Sequence, residues 1–78
     1  MDATSELAST ASSADPRVGL KAASALRRLA ETLEAAQVAS ARRQGWSWQD
    51  IAGVLGVTKQ AVHHKHAAAE KKRDARDV

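Results

Sequence analysis

Between Val18 and Ser40 small and apolar residues recur at steps of three and four: Val18, Ala22, Ala25, Leu26, Leu29, Leu33, Ala36 and Ser40. That spacing lays them along one face of a helix. Asp15-Pro16 supplies its start, with Asp as N-cap and Pro in the first helical position. Ala, Leu, Arg and Glu carry the segment, all good helix formers. Gly45 ends it after Arg42 and Arg43, cations suited to the negative end of the helix dipole. The pattern predicts one helix of about 28 residues, ~42 Å long. Arg27, Arg28, Glu31 and Glu34 fall on the far, solvated side, where Arg27–Glu31 and Arg28–Glu31 pairs would contribute only about 0.3–0.5 kcal/mol each.

Two shorter apolar clusters then flank Gly56, in WSWQDIAGVLGVTKQAVHHKH (residues 46–66). Ser47 and Asp50 have capping-box spacing, and Trp46 with Ile51 forms a hydrophobic staple. This predicts a helix over 48–55. Gly56 supplies the positive φ of a tight exit. Thr58 caps a third helix that begins at Lys59 and is not much longer than the second, with Val57 and Val62 as a second staple. Ile51, Leu55, Val57 and Val62 are the expected shared core, and small Ala52, four residues before Gly56, permits close approach. The expected fold is therefore all-α: a long N-terminal helix followed by a helix-turn-helix, three helices in all. Residues 1–14, rich in Ser, Thr and Ala, read as a disordered arm dispensable for folding. The domain is expected over 15–72, with 73–78 as a C-terminal tail.

Residues 46–66 resemble the helix-turn-helix family of bacterial transcription regulators, most closely the sigma-factor region 4-like type also seen in short actinobacterial stand-alone regulators. The long first helix resembles that family only loosely. The resemblance implies DNA binding, with the third helix entering the major groove. At Lys65 the family has an apolar residue, which leaves His66 or Ala69 to fill the place. At 100° per residue Val62 and Ala69 point inwards and Gln60, His63, His64, Ala67 and Lys71 gather outside. Gln can bond an adenine edge, His a guanine or a phosphate, and Ala a thymine methyl. Thr58 and Lys59 at the start of the third helix, and Ser47 and Gln49 at the start of the second, suit phosphates.

Charge strengthens this reading. The chain of 78 residues has net charge +3, but residues 1–15 hold Asp2, Glu6 and Asp15 and no base, so residues 16–78 alone carry +6. A basic domain suits double-stranded DNA as partner. The absence of Cys excludes disulfides and fits a cytoplasmic, nucleoid-associated setting. No secretory signal and no membrane span is expected. His63 and His66 are three apart, but without Cys and with few nearby carboxylates no metal or other cofactor is expected. No arrangement of nucleophile, base and phosphate loop points to an enzyme. The two short helices would cover only the Leu33–Ser40 end of the seam. Val18, Ala22, Ala25, Leu26 and Leu29 are thus left for a homodimer contact. The rival reading is an adaptor that binds a protein partner through the same long helix.

Overall fold

The computed structural model describes residues 2–76, with side chains for residues 2–73. Among these residues there are four helices and no strand: α1 (Ala3–Ala11), α2 (Pro16–Arg43), α3 (Trp48–Leu55) and α4 (Lys59–Arg76). None is long and apolar enough to cross a membrane. Two compact units divide the chain, Met1–Glu34 and Ala35–Val78, and α2 contributes to both.

The fourth helix, α1, lies where a disordered arm was expected. Asp2 caps it, accepting from the Ser5 N–H at 2.7 Å. That backbone hydrogen bond, with a further one from the Ser5 hydroxyl, holds the Asp2 carboxyl below the usual carboxylate range. Thr10 Oγ1 donates to the Glu6 carbonyl and Ser12 Oγ to that of Ala8, so these hydroxyls are satisfied inside the helix. Ser and Thr weaken a helix intrinsically. Gly19 and Ala22 are buried on α2, and a Cβ added to Gly19 would stand 3.3 Å from the Ala11 carbonyl oxygen. The end of α1 therefore sits against the early turns of α2, in a place open to glycine. No α1 residue is fully buried; Leu7 and Ala11 are half-buried.

The start of α2 follows expectation. Asp15 Oδ1 accepts from the Arg17 N–H at 2.9 Å, and its carbonyl takes the first intrahelical bond from Gly19. Part of the seam is already used inside the N-terminal unit. Ala22 is buried and Ala25, Leu26 and Leu29 are half-buried, whereas Val18 and Leu33 remain exposed. Assigning Ala22 to a dimer surface is corrected accordingly: its side chain is covered within one chain.

In the C-terminal unit the core is Val38, Ile51, Ala52 and Val62, with Ala41 and Trp48 packed against it. This corrects two expectations. Leu55 and Val57 are exposed rather than central. In this last part of α2 the buried positions are Val38 and Ala39, while Ala36 is exposed and Ser40 half-buried. Val38 lies two residues from both Ala36 and Ser40, hence on the other side of the helix. It is the only large apolar residue between Leu33 and Trp46. Burying its branched side chain gains more than burying the methyl and hydroxyl that the seam offers there.

Both sharp exits use glycine at positive φ. After α2, Gly45 (φ 89°) donates to the Arg42 carbonyl and Trp46 to that of Ala41, the paired bonds of a Schellman turn. After α3, Gly56 (φ 72°) and Val57 both donate to the Ala52 carbonyl. The three-residue turn 56–58 then leads into α4, and α3 packs on α4. α4 has 18 residues, longer than expected, because Ala67, Ala68, Ala69, Glu70, Lys71, Lys72 and Arg73 are strong helix formers without a Gly or Pro to stop them. Much of the expected tail is thus helix; Asp77 and Val78 lie outside the described residues.

Candidate nucleic-acid interface

Local chemistry fixes where α4 begins. The Thr58 hydroxyl accepts from the Ala61 N–H at 3.1 Å, and the Thr58 carbonyl from Val62 at 3.2 Å. A hydroxyl that accepts in a cap keeps its own proton to donate, so Thr58 can still bond an anion at this helix start. Lys59 follows it, exposed.

Along α4, Val62 and His66 are buried. His66 thus occupies the inward place one turn beyond Val62, while Ala69, expected inside, is exposed. An imidazole fills that position where a methyl would leave a void. Gln60, His63, His64 and Lys71 are all exposed, and Ala67 is half-buried. The outward set read from the sequence therefore shares the exposed side of α4, except that Ala67 is partly covered. Lys71 adds positive charge there, Lys59 and Lys72 are exposed elsewhere on the same helix, and Glu70 is paired with Arg42.

At the start of α3 the capping box is complete. Asp50 N–H donates to Ser47 Oγ and Ser47 N–H to Asp50 Oδ2, each at 3.0 Å. The Ser47 N–H, followed by its hydroxyl, holds the Asp50 carboxyl below the usual range. The Ser47 N–H is thus committed to Asp50, and the Ser47 hydroxyl accepts from the Asp50 N–H. The exposed Gln49 side chain and the first-turn N–H groups outside the box stand beside it at this end of α3.

The sequence reading missed one cluster beside this face. Trp48 meets the His63 ring edge-to-face, with centroids 5.3 Å apart and planes at 83°. The Arg42 guanidinium lies 4.6 Å over the Trp48 ring. Arg42 also pairs through Nε with Glu70 Oε1 at 3.0 Å and donates to the Trp46 carbonyl at 2.7 Å. Arg42 therefore ties α2, α3 and α4 together. Four side chains from three helices, two of them 28 residues apart, leave no local spacing signal. No three His, Asp or Glu side chains converge on a metal-sized site among the described residues.

Comparison of the chain with protein-family models, with curated proteins and with solved structures finds no match to any of them.

Proposed function

We propose that the chain is a sequence-specific double-stranded DNA-binding protein of helix-turn-helix type, a small nucleoid-associated transcription regulator, with α4 lying in the major groove. The observation that carries this reading is the division of α4. Val62 and His66 are buried while Lys59, Gln60, His63 and His64 stand outside, directly after a glycine-led turn from a short helix packed against it. A helix held this way offers amide, imidazole and ammonium groups to base edges and phosphates. Thr58 and Lys59 suit the backbone at its start, Gln49 the neighbouring phosphate, and Lys71 a phosphate further along.

Footprinting on DNA from around its own gene tests this. Gln60→Ala is expected to lower affinity about tenfold at the preferred site and to relax base choice there. Lys59→Ala is expected to weaken all sequences alike. With about four phosphates neutralised, affinity should drop roughly a hundredfold between about 50 and 200 mM salt. Variants that footprint like the parent, or binding indifferent to salt, would remove α4 as the reader.

The same reading includes a homodimer, which would present two copies of α4 to two half-sites. Exposed Val18 and Leu33, with Ala25, Leu26 and Leu29 half-buried along the same seam, support it. Light scattering at tens of micromolar (a concentration suited to weak interfaces) is expected to give a dimer for the parent and a monomer for Leu33→Asp, whose side chain is already exposed. A monomeric parent would instead favour a protein partner on this helix, the adaptor reading.

A further inference from the structure

We propose that Trp48 is a positioning residue for base recognition: it holds the His63 imidazole in one orientation on the outer face of α4, so that His63 sets the preference at one base pair. The proposal rests on the DNA-binding reading above.

Trp48 is itself fixed. It is the first residue of α3, whose backbone there is locked by the Ser47–Asp50 box. Its ring packs against the core of the C-terminal unit. The Arg42 guanidinium covers it at 4.6 Å, and Arg42 is held in turn by Glu70 and the Trp46 carbonyl. A half-buried ring with this many constraints is a rigid wall.

His63 is exposed, yet its ring stands at 83° to that wall with a centroid separation of 5.3 Å, within the range of attractive edge-to-face aromatic pairs. An exposed histidine ordinarily samples several rotamers and loses that freedom on binding. His63 has given up part of it before any DNA arrives. His64, one residue on and also exposed, has no aromatic ring against it among the described residues. The two neighbouring histidines therefore differ: His63 is preorganised to direct a ring N–H at a fixed acceptor, and His64 is left to adapt. Fixed donors discriminate between bases, because a misplaced acceptor leaves the bond unmade. The acceptor class is the guanine O6/N7 edge, which a ring N–H can reach in the major groove.

The test is selection from a random duplex pool with the full chain and with Trp48→Phe, Trp48→Leu, His63→Ala and the double variant Trp48→Leu/His63→Ala. Trp48→Leu keeps apolar packing but removes the ring; Trp48→Phe keeps a ring. His63→Ala is expected to flatten the preference at one base pair. Trp48→Leu should reduce the preference at that same pair about threefold to tenfold, with binding to non-specific duplex unchanged. Trp48→Phe should retain it, and the double variant should lose no more than His63→Ala alone. In parallel, proton NMR of the free chain should show His63 ring resonances displaced by the neighbouring indole and relaxed towards ordinary positions in Trp48→Leu. A uniform loss across all sequences with the base preference intact would make Trp48 merely structural and overturn the proposal. So would undisplaced His63 resonances in the parent. A parent that binds no duplex at all sinks the DNA reading and this proposal with it, and the NMR arm tells that outcome apart from a failure of the ring contact.

Discussion

Ile51→Ala is expected to destabilise the C-terminal unit by about 3 kcal/mol, within the range seen when large aliphatic side chains are truncated in cores. Ile51 is 4% exposed and is the largest residue of a four-residue core whose other members are two valines and an alanine. Removing three carbons forfeits roughly 0.8 kcal/mol each in transfer free energy. The remainder comes from a cavity that short helices, pinned by a capping box and two glycine turns, cannot collapse around. A unit this small has few kcal/mol to lose, so the variant should be largely unfolded at moderate temperature. Val54→Ala, three residues away on the same helix, is the control. Val54 is 73% exposed, and the change should fall within about 0.5 kcal/mol. Urea denaturation followed by Trp emission reads both. Equal effects at the two positions would mean that the core has been assigned to the wrong face of α3.

Arg42→Ala is expected to cost about 2 kcal/mol, more than an ordinary surface ion pair contributes. The reason is that one guanidinium serves three partners from positions in different helices and a turn: Glu70, the Trp46 carbonyl and the Trp48 ring. Arg42 and Glu70 side chains are 28% and 23% exposed, so solvent screens the ion pair only in part. Arg42→Lys should recover less than half of the loss. A point charge on a flexible stem can satisfy one of the three partners at a time, whereas the planar fork satisfies all three. Glu70→Gln should cost under about 1 kcal/mol, because the carbonyl and ring contacts remain. Thermal melts of the three variants, repeated in high salt, provide the check. If lysine restores full stability, charge alone is sufficient and the three-way tie has no energetic content.

What could be read from the sequence depended on how local the signal was. Asp15-Pro16, the Ser47–Asp50 box, Gly45, Gly56 and Thr58 each act within about four residues, and each is found where its spacing implied. The bounds of α3 and the start of α4 followed from them. Burial depended on contacts that no local pattern encodes. Leu55 and Val57 have core character but face outwards, because α3 and α4 close on Ile51, Ala52, Val62 and Val38 instead. α1 escaped notice because Ser and Thr favour turns as readily as helices, and the approach of the Ala11 carbonyl to Gly19 on the next helix leaves no periodic signal. Gln60, His63, His64 and Lys71 stand outside as the helical period implied, but Ala67 is half-buried and Ala69, read as inward, is exposed; the tie from His63 through Trp48 to Arg42 crosses three elements and could emerge only once they were assembled.

Both tryptophans of the chain flank Ser47, and there is no tyrosine or phenylalanine. The near-ultraviolet absorbance and the intrinsic fluorescence thus come entirely from the C-terminal unit. The two indoles have unlike surroundings: Trp48 is half-buried under a guanidinium with an imidazole at hand, and Trp46 is exposed. An emission spectrum of the unlabelled chain is accordingly a local gauge of α3 and the helix start beside it, with a sheltered and a solvated component. The N-terminal unit is optically silent at those wavelengths, so its unfolding is visible only in the far-ultraviolet peptide bands. Melting curves recorded in the two spectral windows therefore weigh the molecule differently, the indole signal following the C-terminal unit alone and the peptide bands every helix, and their offset measures how far the two units unfold together.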